Sequence, residues 1–454
     1  YFSSILGYTG KISQTEYEEY TEDGKKYSKT DIVGKAGLEK TMDTVLKGKN
    51  GKETLYVNNV GKIIEEKQTT ASSPGNNLYL TIDKNLQIAT YKILEEQLAG
   101  IVVSNMQNVM NFEKTAGSDN VTVIPFDDVL NAFFSNSILD LKHFDAEDAK
   151  ETEQTVHQKF VTRKEQVMDQ IVKELTAANA KAYKDLPTEM QAYMSFIVND
   201  VLLNGSKVLL KDKIDTEDKT YKAWKEEDSI GLGPYLQYAI SKNWVDTSKL
   251  SHYISTEGNY SDSNEVYEGL VSYLQEYLKS SLGFDKLIYK YMIKDGTISG
   301  KEVSLMLYEQ KIISYNENQY NAVKSGKTGA YDFIRGKIQS LEITPGQLGL
   351  EPCTASAVVT DVNTGAVLAC VSYPGYDNNR LANTMDSAYY SQLVTGSSKP
   401  LYNNATQEKT APGSTFKMLS AVAGLTENRT RTEVLDSSRI PRKSECDRSN
   451  PTFM

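Results

Sequence analysis

The stretch TASAVVTDVNTGAVLACVSYP, Thr354 to Pro374, decides the fold. Two runs rich in strand-forming residues flank Val362–Gly365, and Gly365 can supply the positive φ that a tight hairpin turn requires. The spacing predicts a β-hairpin. Its return run, Ala366–Val371, is apolar on both faces. That pattern predicts a strand covered from both sides, central in a sheet with helices above and below.

Pairing Asp361 with Ala366 would set Cys370 opposite Ala357, four residues from Cys353. Four strand residues span roughly 13 Å, whereas a disulfide needs Cα atoms within about 7 Å. The cysteines are Cys353, Cys370 and Cys446. This low, odd number gives no disulfide framework, and free, buried thiols are expected.

Downstream, an Asn-, Ser- and Gly-rich loop leads to TAPGSTFKML, Thr410 to Leu419. Pro412 and Gly413 disfavour a helix interior, so a helix is predicted to begin at or near Ser414. Phe416, Met418, Leu419, Ala421, Val422, Ala423 and Leu425 lie on every side of it and predict burial. Ser414 and Lys417, three residues apart, share a face. Burial would disfavour the lysine ammonium and make Lys417 a base for Ser414. The helix N-terminus would suit an oxyanion on an attacked carbonyl. A serine here is also a preferred N-cap, and four residues alone favour that plainer reading. The Pro-Gly break and the apolar continuation shift the reading towards a nucleophile and its base.

Upstream, residues 1–77 are polar, with short strand-like runs such as Glu53–Ile64, and end in the linker TTASSPGNN. Leu78–Asp83 reads as a strand. The following helix has Leu86, Ala89, Ile93 and Leu98 at helical spacing, Asp83 as N-cap and Gly100 as stop. Residues 103–350 are rich in Lys, Glu, Asp and Tyr and carry most of the helical periodicity. Within Glu265–Gly283, for example, Val266, Leu270, Tyr273, Leu274 and Leu278 share a face, and Arg163–Tyr183 is a second such stretch. No repeat of fixed period is evident. The expected division is 1–77, 78–102, 103–350 and 351–454.

The 454 residues carry 39% hydrophobic and 24% charged side chains and a formal net charge of −10. This acidic balance argues against nucleic acid as a partner. No apolar run of about 18 residues is present to span a bilayer. His143, His157 and His252 are scattered, with no metal-ligand spacing around them. The opening residues, YFSSILGYTGKISQTEYEEY, show no initiator Met and no secretory signal and read as the interior of a longer chain.

Four segments in order resemble a class B penicillin-binding protein. Gly34, Gly37 and Glu39 resemble a Gly-x-x-Gly-x-Glu segment of the N-terminal pedestal, or dimerisation-like, domain. Leu78–Gln87 resembles the beginning of the transpeptidase domain, and Ala357–Asn379 its first strand pair. Asn403–Lys417 resembles the segment bearing the nucleophile. Two departures stand out: Asn404 replaces the usual Arg of Asn-Arg-Ala, and Thr410 replaces an aromatic residue.

The resemblance implies an α+β fold: a β-rich pedestal, an incomplete transpeptidase domain with an antiparallel sheet flanked by helices, and a mostly α-helical insertion. It implies a serine acyl-enzyme D,D-transpeptidase that cross-links peptidoglycan, with Ser414 as nucleophile and Lys417 as base. The Ser414 backbone N–H would form half of an oxyanion hole. Stem peptides and β-lactams would be the ligands and other wall-synthesis proteins the partners, with no metal or organic cofactor. The location would be the outer face of the cell membrane, through an anchor not in this sequence.

The family's Ser-x-Asn and Lys-Thr-Gly motifs follow the nucleophile. Here SDN (Ser118–Asn120) and KTG (Lys327–Gly329) precede it. Both are expected to be fortuitous: SDN as a turn into an extended run, KTG as a break between helices. The chain is therefore expected to be an inactive fragment of an enzyme. A non-catalytic wall scaffold, or a β-lactam sensor or β-lactamase relative, stands as the alternative.

Overall fold

The computed structural model describes residues 1–22, 27–60, 62–112, 123–254 and 262–426. Ser118–Asn120 and Cys446 lie outside the described residues. Two compact units form, Tyr1–Ala405 and Thr406–Met454. The class is α+β, as expected, with helices far outweighing small two-stranded sheets.

The N-terminal region holds two antiparallel pairs, Thr9–Lys11 with Ile32–Gly34 and Lys52–Val57 with Ile63–Thr70, together with short helices. The Gly-x-x-Gly-x-Glu segment has a steric basis. A Cβ on Gly34 would sit 1.9 Å from the Glu39 carbonyl oxygen, and Gly37 holds a φ of +58°. Only glycine satisfies both demands.

Leu78–Asp83 forms no regular strand. It runs beside the C-terminal hairpin, where the Asp83 N–H donates to the Leu368 carbonyl at 2.9 Å. Asp83 caps the helix Lys84–Asn105 by accepting from the Leu86 N–H. Gly100 does not stop this helix. The side chains of Leu98, Ala99, Val102 and Val103 are buried on one side, and that packing outweighs the about 1 kcal/mol intrinsic cost of an interior glycine.

The hairpin Ala355–Thr360 and Val367–Tyr373 forms as predicted, with Gly365 at φ +72°. The Asp361 carboxylate accepts from the Asn363 and Thr364 N–H groups and so braces the turn. An irregularity between Val359 and Thr360 shifts the register by one residue. Cys370 therefore faces Val358, where simple counting placed Ala357. Cys353 and Cys370 are free. Burial pushes the Cys353 thiol up to about 11.

Val367–Tyr373 is not a central strand among the described residues. Its outer edge is taken by the neighbouring segment and helix. The Thr81 hydroxyl donates to the Val367 carbonyl at 2.5 Å. The buried Gln87 amide accepts from the Cys370 N–H at 2.8 Å and donates to the Cys370 carbonyl at 3.1 Å. One side chain thus does for that residue what a partner strand would do.

The block from Ile124 to Leu350 is helical. Its core includes an aromatic stack in which Tyr289 lies 4.4 Å from Phe160 and 4.8 Å from Phe134, centroid to centroid. In the helix Ser263–Ser280 the face predicted from sequence is buried at Val266, Leu270, Leu274 and Leu278. Asp262 and Glu265 close its N-terminus as a capping box.

A fifteen-residue repeat is present, although the sequence reading found none. Residues 296, 311, 326 and 341 all take positive φ just after a helix. Two residues on, the N–H groups of Ile298, Ile313, Thr328 and Ile343 bond the carbonyls of Met292, Leu307, Ala322 and Lys337. Each bond reaches six residues back, one residue further than the Schellman closure of a helix C-terminus. Ile298, Ile313 and Ile343 are then buried. The repeat is faint in the sequence because its copies share backbone geometry with few identical residues, and an isoleucine in only three of the four.

Candidate active site

Ser414 and Lys417 lie in the second unit. Gly413, at φ +57°, opens a single 3₁₀ turn, Gly413–Thr415, and the helix proper runs Phe416–Thr426. Ser414 therefore precedes the α-helix by two residues. The expectation of a buried helix is corrected: Phe416 is 53%, Met418 72%, Leu419 61%, Val422 60% and Leu425 76% exposed. The desolvation invoked to activate Lys417 is absent around this exposed side chain. Among the described residues, Ser414 and Lys417 make no hydrogen bond with each other. What the local chain does provide is an exposed serine at a turn and a lysine three residues on, on a helix apolar all round.

KTG proves to be the third copy of the fifteen-residue turn. Lys327, Thr328 and Gly329 connect the helix Glu317–Lys324 to the helix Ala330–Gln339, with Gly326 at φ +78°. The segment lies between helices and on no strand. Thr328 stands where the other copies place Ile298, Ile313 and Ile343.

Asn404, the departure from Asn-Arg-Ala, has a clear role at the end of the first unit. Its N–H donates to the Ser372 hydroxyl at 2.9 Å, and its side-chain amide donates to the Tyr373 carbonyl at 3.3 Å. The Asn403 carboxamide oxygen accepts from the Ala405 N–H at 3.0 Å. These bonds fasten residues 403–405 to the end of the hairpin. The loop after the hairpin is tied as well. The Gly375 N–H donates to the Tyr91 hydroxyl at 3.1 Å, and the Tyr376 hydroxyl donates to the Ser3 carbonyl at 3.1 Å. The Asn-Asn pair was visible in the sequence, but the partners of Asn404, thirty or more residues away, were not.

His143 is less isolated than its place in the sequence suggested. Its Nδ1 lies 2.7 Å from the fully buried Glu153 carboxylate, and its Nε2 lies 3.4 Å from Asp148. The hydrogen bond to Glu153 raises the imidazole above its ordinary 6.5, with Asp148 adding to the effect. Among the described residues no group of three or more His, Cys, Asp or Glu is arranged to hold a metal ion. Nor is any helix there long and apolar enough to cross a membrane.

Comparison with known proteins follows the same geography. Residues 1–80 match the penicillin-binding protein dimerisation domain, and residues 355–447 match the penicillin-binding protein transpeptidase domain. These two regions are therefore similar to the two domains of penicillin-binding proteins, and together they cover less than half of the chain. Residues 103–350 lie outside both matches.

Its relatives include the peptidoglycan D,D-transpeptidase MrdA of Escherichia coli K12, 34% identical over 103 residues, 22% of this chain and 16% of that protein. PbpA of Mycobacterium tuberculosis, also a peptidoglycan D,D-transpeptidase, is 37% identical over 90 residues, 19% of this chain and 18% of that protein. PbpA of Mycolicibacterium smegmatis is 39% identical over 114 residues, 24% of this chain and 23% of that protein. The chain thus spans less than a quarter of the length of each of these relatives.

Proposed function

We propose that this protein acts in peptidoglycan cross-linking as a serine D,D-transpeptidase, with Ser414 as nucleophile and Lys417 as the base. The observation that carries this reading is Ser414-x-x-Lys417 inside the transpeptidase match, on a chain that also carries the dimerisation match in family order. The exposed turn at Ser414 gives a substrate carbonyl access to Oγ.

In this reading Ser414 Oγ attacks the carbonyl carbon of the D-Ala-D-Ala bond of a stem peptide, and the neutral Lys417 amine takes its proton. The terminal D-Ala leaves as an amine, protonated in turn, and an ester to Ser414 remains. An amine of a neighbouring stem peptide then attacks that ester, forms the new amide and frees Ser414. A β-lactam would acylate the same oxygen by ring opening.

Of residues 103–350, the first three complete the long helix Lys84–Asn105, and the remainder forms, in this proposal, a helical module inserted between that helix and the hairpin. The protein would work at the outer face of the cell membrane beside other wall-synthesis proteins.

The test is acylation of the full-length protein by a fluorescent penicillin, with the adduct mapped by mass spectrometry. The expected result is a single adduct on Ser414, lost in Ser414→Ala and strongly slowed in Lys417→Ala. Labelling that persists in Ser414→Ala, or no labelling of the wild type, overturns the reading.

A further inference from the structure

A cavity of about 460 Å³ opens between the helical block and the C-terminal hairpin, and every residue lining it belongs to the first unit. Asn136 holds the two sides together. Its side-chain amide donates to the Leu348 carbonyl at 2.6 Å, and its oxygen accepts from the Ser397 hydroxyl at 3.0 Å. Tyr91 and Glu95 of the long helix, Tyr373 of the hairpin, and Tyr389 supply much of the opposite wall.

The charges in this cavity are unevenly satisfied. Arg380 is committed: it donates to the Asp386 carboxylate at 3.0 and 2.6 Å and lies 3.9 Å over the Tyr389 ring. Glu95 forms no ion pair among the described residues. Tyr373 is its hydrogen-bond neighbour. Burial, with Glu96 adding to it, holds the Glu95 carboxyl above its ordinary value. The site is therefore a half-buried carboxylate among tyrosine rings with no cation bonded to it.

That combination selects its ligand by chemistry. An anion would meet Glu95 and find the one lining guanidinium already occupied. A hard divalent ion would want several oxygen ligands of its own, and no such group exists among the described residues. An organic ammonium satisfies both features, pairing with the carboxylate and lying against ring faces.

We propose that this cavity binds a primary alkylammonium group, carried either by a free amine or by an amino-terminated side chain of a peptide. The proposal is independent of the acyl-transfer reading and stands or falls without it.

The test is calorimetric titration of the full chain with cadaverine, with a lysine blocked at both its α-amine and its carboxyl group, and with pentanediol as the uncharged counterpart. Saturable binding of an ammonium probe and none of pentanediol is expected. Glu95→Gln should weaken that binding by roughly tenfold or more, the scale of one lost charge-assisted hydrogen bond. Glu96→Gln, on the exposed side of the same helix, should leave it unchanged. Tighter binding of cadaverine assigns the site to free amines, and tighter binding of the blocked lysine assigns it to peptides. If Glu95→Gln fails to fold by circular dichroism, Tyr389→Leu is measured in its place, with the same loss expected. Equal affinity in a folded Glu95 or Tyr389 variant, equal binding of pentanediol, or no saturable binding of either ammonium probe overturns the proposal.

Discussion

The turns at Gly326 and at Gly413 are alike on paper. Each places a glycine at positive φ, +78° and +57°, ahead of a helix, and each carries a short motif that a transpeptidase would use. Their surroundings are opposite. The Gly326 turn is one of four in a fifteen-residue series, and the helix after it buries Phe333, Ile334 and Ile338 in the large core. The helix after Gly413 buries none of its residues. Local geometry is thus shared, whereas packing, and with it the meaning of each motif, is not. KTG is a stabilised structural turn. Ser414-x-x-Lys417 is an exposed segment whose chemistry depends on what comes to cover it.

Mutations in the two regions should differ most where the core is deepest. Phe134→Ala removes a fully buried ring stacked on Tyr289. It should cost roughly 3–5 kcal/mol of unfolding free energy by urea denaturation. A cost below about 1 kcal/mol would mean that the helical block is not the rigid core described.

Gly326→Ala forces a Cβ into the left-handed region and should cost about 1–2 kcal/mol by the same measurement. The open space around Gly326 means that the cost comes from the backbone alone. An Asn at this position, which tolerates that conformation better, should recover part of it.

The His143–Glu153 contact should give a smaller, pH-dependent effect. Because the folded-state pKa is raised, the contribution is complete below about 6.5 and is lost as pH rises through the higher folded value. The imidazole side chain is 30% exposed, so solvent screening should keep the contribution below about 1 kcal/mol. Titration of the ring by NMR should show its pKa falling towards 6.5 in Glu153→Gln. An unchanged titration would place the cause elsewhere.

Leu419→Ala, in the exposed helix, should change stability by no more than about 0.5 kcal/mol. A large loss there would show that the helix is covered in solution, and it would restore the condition that the Ser414–Lys417 pair needs.

Much of the hairpin was readable because its signals are local. Gly365 sets the turn, and two runs rich in strand-forming residues mark the strands. The one-residue shift at Val359 and Thr360 was not readable, because a bulge reflects how the strand packs and leaves no mark in composition. Asp83 was a legible cap, while Gly100 misled. A glycine stops a helix only where no buried face continues past it, and Val102 and Val103 continue one here. Ser414 and Lys417 were legible as a spaced pair. The inference that apolar residues on every side mean burial failed because hydrophobicity states a preference for cover without supplying it.

By itself the sequence determined the helix and strand periods, the hairpin turn and the ordered segments that match the two family domains. These depend on neighbours within a few residues or on linear order, both written directly in the chain. Tertiary structure alone decided that Gln87 would close the edge of a strand 283 residues away. It also decided that Asn404 would fasten to Ser372, that KTG would be one turn among four, and that Glu95 would line a cavity with no ion-pair partner among the described residues. Each of these joins groups far apart in sequence, and only the packing of the whole unit brings such groups within bonding distance.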